Sequence, residues 1–185
     1  SHRQLASGLS CPVGFKNGTD GGVKVASDAI LAAQASHAFM GMTKMGQSAI
    51  FETDGNKDCH VILRGGKQPN YSAEDVNATC ELLKKSGLRE QVMIDLSHAN
   101  SSKQHARQIT VAEDVANQVA AGDHRIMGLM IESHLEEGRQ DIVAGQELKH
   151  GVSVTDACIS FAQTVPVLEQ LAQAVRARRA KAANR

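Results

Sequence analysis

Four apolar runs in this 185-residue sequence end in polar residues that could handle an anion or a metal ion. The first run closes on Lys16, and the run Cys59 to Leu63 closes on Arg64 of Arg64-Gly-Gly-Lys67. A third leads into Asp95-Leu-Ser-His98 and a fourth into Glu132-Ser-His134. Ammonium and guanidinium groups suit a phosphorylated or carboxylated substrate, arginine through its two-pronged fork. Neutral imidazole and carboxylate are both good ligands, so His98 and Glu132 could share a divalent ion. Each residue alone has a plainer reading. Lys16 could be a solvated loop residue, and Arg64-Gly-Gly-Lys67 could be a simple turn, its spacing differing from the phosphate loop of nucleotide enzymes. His98, close to Asn100, Ser101 and Ser102, could belong to a helix cap, and Asp156 reads most cheaply as a cap at a helix start. Four polar run-ends in register are harder to ascribe to accident than any one of them.

The elements that would position these residues follow from the hydrophobic pattern. Leu9 to Phe15 reads as a buried strand broken by the turn formers of Lys16-Asn-Gly-Thr-Asp-Gly-Gly22, and Val23 to Ala33 suits a helix. His37 to Met42 is another apolar run. Ser48 to Thr53 and Cys59 to Leu63 flank Asp54-Gly-Asn-Lys-Asp58, which reads as a hairpin turn. Ser72 opens a helix reaching about Lys85, with Glu74 and Asp75 in its first turn. Gln91 to Leu96 is a strand followed by a helix from Lys103 to Ala121, and Arg125 to Ile131 is a further strand. A last helix is expected from Thr155 to Ala180, with Pro166 as a point of kinking or division. Successive strand–helix units imply parallel strands with right-handed crossovers, and strands with little alternation imply a sheet buried on both faces. The expected fold is α/β: about four β/α units, the C-terminal half of a (β/α)8 TIM barrel with an inserted β-hairpin, forming a single partial domain over 1–185. A small open α/β sheet is the alternative.

Composition narrows the functional classes. Lysine plus arginine balance aspartate plus glutamate at 20 each, so no general pull toward nucleic acid is expected. The basic run Arg176-Ala-Arg-Arg-Ala-Lys181 reads as a solvated helix end. No window approaches the roughly 18 apolar residues a membrane span needs. Cys11, Cys59, Cys80 and Cys158 are scattered without a C-x-x-C pair, which fits reduced thiols in a cytoplasmic protein.

The residues themselves carry a resemblance. Pro12-Val-Gly-Phe-Lys-Asn-Gly-Thr-Asp-Gly21 resembles the fifth-strand motif of the bacterial aromatic-pathway (class I) 3-deoxy-D-arabino-heptulosonate 7-phosphate (DAHP) synthases. His60-Val-Ile-Leu-Arg-Gly-Gly-Lys67 with Pro69-Asn-Tyr71, Asp95-Leu-Ser-His-Ala-Asn-Ser-Ser-Lys103, Met130-Ile-Glu-Ser-His134 and Ser153-Val-Thr-Asp-Ala-Cys158 are similar to the later motifs, in the family's order. The similarity runs from about Arg3 to Arg179. It implies condensation of phosphoenolpyruvate with erythrose 4-phosphate, the first step of the shikimate pathway. It further implies that Lys16 reaches the enolpyruvate end of phosphoenolpyruvate and Arg64 its phosphate. His98, Glu132 and Asp156 fall on three of the family's four ligands to a divalent metal, Mn2+ or a comparable first-row ion, and Lys16 and His98 on its catalytic positions. A homo-oligomer and feedback by an aromatic amino acid are implied as well. The resemblance implies an effector cavity partly lined by residues near Ser10 and His37 to Met42, where the small Gly41 would leave room for the hydroxyl of tyrosine.

The chain also departs from the family. Ser1 corresponds to a point about halfway along it, beyond an arginine that also binds phosphoenolpyruvate. The family's cysteine ligand, its Lys-Pro-Arg-Thr motif and its first four strands have no counterpart here. Cys158 matches a cysteine the family already carries and reads as a packing residue. A truncated stretch of a longer gene product, inactive by itself, is therefore expected. Two alternatives stay open: a related phosphoenolpyruvate-dependent sugar-acid phosphate synthase, and a non-catalytic half-barrel serving effector binding or subunit interaction.

Overall fold

In the computed structural model, residues 2–183 are described. Along the chain they form α1 (His2–Ser7), β1 (Val13–Lys16), α2 (Lys24–Gln34), β2 (His37–Met42), β3 (Ser48–Thr53), β4 (Cys59–Leu63) and α3 (Ala73–Lys85). There follow β5 (Val92–Asp95), α4 (Arg107–Ala121), β6 (Ile126–Met130), β7 (Ser133–His134), β8 (Ile159–Ser160) and α5 (Phe161–Ala183). The main sheet has the order β1-β4-β5-β6, and every neighbouring pair is parallel. Registers such as Lys16↔Ile62 and Ile94↔Leu129 bring the C-terminal ends of all these strands to one edge.

The two faces of this sheet have different partners. Val61, Leu63, Val92, Ile94 and Ile126 are buried against a single core shared with α2, α3, α4 and α5. Alternation puts Gly14, Lys16, His60, Ile62, Met93 and Asp95 on the opposite face. An open doubly wound sheet would carry helices on both faces, so the one-sided covering is that of a barrel segment and overturns the open-sheet alternative. Each fully buried Val, Leu or Ile contributes about 1.5–3 kcal/mol relative to exposure. Truncating one, such as Ile94→Ala, costs about 2–5 kcal/mol.

The helices are dictated locally. Ala26, Ala29, Ile30 and Ala33 recur at helical spacing and form the buried stripe of α2. Helix α3 starts on a capping box in which the Ser72 hydroxyl accepts from the Asp75 amide while the Asp75 carboxylate accepts from the Ser72 amide. Helix α4 ends at Gly122, whose φ of 120° suits a glycine.

Several sequence expectations are corrected. The hairpin is formed by β2 and β3 around Thr43–Gln47, with Phe39 stacked on Phe51 at 6.1 Å. Asp54–Asp58 leads instead from β3 into β4, which joins the main sheet, because Val61 and Leu63 find a buried partner only there. The first strand starts at Val13, after Pro12, which has no N–H for a ladder. Helix α4 starts at Arg107, since residues 98–104 form turns that carry positive φ at His98, Ser102 and Lys103. Nothing near His98 caps that helix, its N-cap being Ala106. The last helix starts at Phe161, and Pro166 lies within it without dividing it. Asp156 is therefore not a helix cap. Arg178, from the basic run, donates to the carbonyls of Asp123 and Ile126 rather than only meeting solvent.

Candidate active site

The site is assembled at the strand ends around Asp95. This residue ends β5, and its side chain is fully buried. One carboxylate oxygen, Oδ1, accepts from the Ser97 amide at 2.9 Å. The other, Oδ2, accepts from Lys16 Nζ at 2.9 Å and lies 2.8 Å from His98 Nδ1. The approach to the imidazole is oblique to the ring N–H direction, making this a close electrostatic contact rather than an aligned hydrogen bond. His98 is held at φ 52°, a left-handed conformation uncommon outside glycine, with its carbonyl accepting from the Lys103 amide at 2.8 Å.

With Nδ1 turned to Asp95, the other ring nitrogen of His98 faces two carboxylates. Nε2 lies 4.0 Å from Glu132 Oε1 and 3.8 Å from Asp156 Oδ2. One ligand atom from each of the three residues falls within 4.8 Å of the others. Ligands about 2.0–2.2 Å from a common ion stand roughly 3–4 Å apart, so this cluster fits a divalent ion after small adjustments. A carboxylate–histidine–metal arrangement in which Asp95 supports His98 is the expected outer shell of such a centre. Glu132 is fixed from behind: the Gln108 side chain on α4 accepts from its amide at 2.9 Å and donates to its carbonyl at 3.0 Å. Asp156 sits in the loop before β8 and is much more exposed, at 69% of its side chain. The Cys158 thiol is turned away, donating to the Asp156 carbonyl, and burial pushes its pKa up. That geometry agrees with a packing role.

Three asparagines lock the neighbouring loops. Asn17 accepts from the Arg64 amide at 2.7 Å and donates to the Gly65 carbonyl at 3.0 Å. Asn70 accepts from the Gly65 amide at 2.7 Å. Asn100, fully buried, donates to the carbonyls of Leu63 and Asp95 at 3.1 and 2.8 Å and accepts from the Asn70 amide at 2.9 Å. Gly66 meets Gly21 so closely that a Cβ there would stand 2.3 Å from the Gly21 nitrogen. The loops after β1, β4 and β5 are thus tied to one another. The Arg64 guanidinium has no hydrogen-bond or ion-pair partner among the described residues, and it opens into a cleft of about 780 Å³ shared with His98, Lys103, His105, Arg139 and Asp156.

All five residues singled out from the sequence, Lys16, Arg64, His98, Glu132 and Asp156, therefore stand at one end of the sheet. Sequence reasoning missed the bridging role of Asp95 and the three asparagines. Asp95 was visible as a carboxylate three residues before His98, but a strand-end Asp signals nothing until the fold brings Lys16 against it. Gly41 was expected to leave space for a ligand. The Phe51 ring covers it, lying 2.8 Å from where a Cβ would stand.

Comparison with known proteins adds to this geometry. The model of the DAHP synthetase I family matches residues 1–169. The Phe-sensitive phospho-2-dehydro-3-deoxyheptonate aldolase of Escherichia coli K12 is 61% identical over 178 residues, covering 96% of this chain and 51% of that protein. The tyrosine-inhibited phospho-2-dehydro-3-deoxyheptonate aldolase of Schizosaccharomyces pombe is 57% identical over 183 residues, covering 96% of this chain and 49% of its own length. The solved structure of the phospho-2-dehydro-3-deoxyheptonate aldolase from Francisella tularensis SCHU S4 superimposes with a TM-score of 0.91 at 50% identity, over 96% of this chain and 52% of that one. The chain spans about half the length of the curated relatives it matches.

Proposed function

The chain belongs to the DAHP synthetase I family, a partial TIM barrel of α/β class, and from that premise we propose that it carries the phosphoenolpyruvate and metal half of a 3-deoxy-7-phosphoheptulonate synthase site. The reaction is the aldol-type condensation of phosphoenolpyruvate with erythrose 4-phosphate. C3 of phosphoenolpyruvate attacks the aldehyde carbon, water adds at C2, and inorganic phosphate leaves by C–O cleavage to give DAHP. The observation that carries the reading is the Arg64 guanidinium, without a partner among the described residues, sharing a cleft with His98 and Asp156, which cluster with Glu132, while Lys16 is held on Asp95 against His98.

In this reading Arg64 grips the phosphate of phosphoenolpyruvate and Lys16 its enolpyruvate end, which holds C3 in place and offsets the substrate's charge. Lys16 and His98 stand nearest the reacting atoms. His98, Glu132 and Asp156 would hold a first-row divalent ion, Mn2+ or a comparable one, which supplies Lewis acidity toward the aldehyde of erythrose 4-phosphate when bound. Residues 1–185 act as one partial-barrel domain, within a homo-oligomer in the cytoplasm. No helix of the described residues is long and apolar enough to cross a membrane. An aromatic amino acid is the effector. Tyrosine beside Gly41 would require the Phe51 ring to move aside.

The test is phosphoenolpyruvate consumption by the complete gene product with erythrose 4-phosphate or arabinose 5-phosphate as acceptor, with and without chelator. Metal-dependent turnover with erythrose 4-phosphate is expected. Turnover only with arabinose 5-phosphate would transfer the site to the eight-carbon sugar-acid class. The 185-residue chain by itself is expected to show no appreciable turnover.

A further inference from the structure

The least exposed charge in the site is on Asp95, whose carboxylate touches neither substrate nor metal in the reading above. Its side chain is fully buried, yet a single oxygen, Oδ2, meets two groups from different segments, Lys16 Nζ at the end of β1 at 2.9 Å and His98 Nδ1 in the turn after β5 at 2.8 Å. Oδ1 is already committed to the Ser97 amide, and the Asp95 carbonyl to Asn100. The carboxylate therefore cannot turn to give each partner its own oxygen. We propose that Asp95 is a positioning residue that couples the two halves of the site, because Lys16 and His98 compete for one fixed carboxylate oxygen.

The consequence follows from charge. While Lys16 rests on Oδ2, it draws off electron density that would otherwise support the imidazole as a ligand. An anionic ligand that pulls the Lys16 ammonium away leaves Oδ2 wholly to His98. Nε2 then becomes a stronger donor toward the ion, and its ring orientation tightens. By linkage, a bound ion that engages His98 loosens the hold on Lys16 and frees that ammonium for an anion. Metal and phosphoenolpyruvate would thus each favour the other through a residue that contacts neither. This inference rests on the metal-site reading, and the measurements below separate failure of one from failure of the other.

Mn2+ affinity is measured by calorimetry on the 185-residue chain and on Lys16→Met, Lys103→Met, Asp95→Asn and the Lys16→Met/Asp95→Asn double variant. Lys103 lines the same cleft and has no contact with Asp95, so it controls for loss of charge alone. Asp95→Asn is expected to weaken binding about 10- to 100-fold, as removal of an outer-shell partner does. Lys16→Met is expected to tighten binding about fivefold in the parent background. In the Asp95→Asn background and for Lys103→Met, changes within about twofold are expected, the limit for independent sites. Equal effects of Lys16→Met in both backgrounds, or of Lys16→Met and Lys103→Met, would overturn the coupling. Where Asp95→Asn does not fold, the two lysine variants decide alone. Where the parent chain binds no Mn2+, the metal reading falls, and nitrogen-15 shifts of the His98 ring decide. A proton on Nδ1 that Asp95→Asn or Lys16→Met redistributes supports the inference, and an indifferent ring refutes it.

Discussion

Replacing Asn100 by alanine should disable this fold out of proportion to the atoms removed. The side chain is fully buried and makes three hydrogen bonds, to Leu63 O, Asp95 O and Asn70 N, at 3.1, 2.8 and 2.9 Å. A typical internal hydrogen bond contributes about 1 kcal/mol net, and a buried partner left without one costs up to about 3 kcal/mol. Three such partners give at least about 3 kcal/mol, and the small cavity adds about 1 kcal/mol. Against a total stability of about 5–15 kcal/mol for an ordinary domain, that is a large fraction. With a urea slope of about 2 kcal/mol per molar, the unfolding midpoint should fall by about 2 M. Urea titration followed by circular dichroism measures this directly. Asn100→Asp provides the sharper comparison. It keeps the volume but points a carboxylate oxygen at two carbonyl oxygens, and it should lose at least as much stability as alanine at pH 7. A midpoint shift below about 0.5 M for alanine, or a near-parental aspartate variant, would show that packing rather than hydrogen bonding holds these loops.

Other outcomes test the site and the core. Alanine at His98, Glu132 or Asp156 should each weaken Mn2+ binding at least about tenfold, with the exposed Asp156 least affected; calorimetry reads this, and unchanged affinity for His98→Ala would remove the cluster from consideration. Gly66→Ala forces a Cβ to 2.3 Å from the Gly21 nitrogen, so it should part the loops after β1 and β4 and abolish inorganic phosphate binding seen by NMR, while binding intact would show the loops to be independent. Exposed Cys11 should react with a thiol reagent at once at pH 8, whereas burial pushes the Cys80 thiol up to about 11, so Cys80 should label only on unfolding; equal rates would contradict the core. Hydrogen bonding to Arg125 holds the Asp123 carboxyl below its ordinary 3.8. Its contribution is then present above about pH 4 and is lost as pH falls through the depressed value. Asp123→Asn should accordingly flatten the acid side of the stability profile, and a parental profile would deny the pair any role.

Much of the fold was legible because its signals are local. Strand runs such as Gln91 to Leu96 show themselves by continuous apolarity, and α3 shows itself by Ser72 and the acidic first turn. The chemistry-bearing run-ends Lys16, Arg64, His98 and Glu132 could be named from residue types, whereas Asp156 entered only through the family resemblance. Pairing choices were not legible. The turn at Asp54–Asp58 looked like a hairpin because turn propensity says where the chain bends, not which strand it bends toward. Burial of Val61 and Leu63 against the helices decided that β4 joins β1 and β5.

The sequence by itself determined the succession of strand and helix and the set of polar groups at the strand ends. Periodicity and residue type are properties of a few neighbouring positions. Tertiary structure alone decided that one oxygen of Asp95 serves both Lys16, 79 residues away, and His98, and that Asn100 ties β4 to β5. It also set the cap reading of Asp156 aside, bringing its carboxylate within 4.8 Å of ligand atoms of His98 and Glu132, the grouping that the resemblance had implied. Such relations depend on angstrom-scale distances between segments remote in sequence, and these distances are set by the register of the parallel sheet and the packing of its helices.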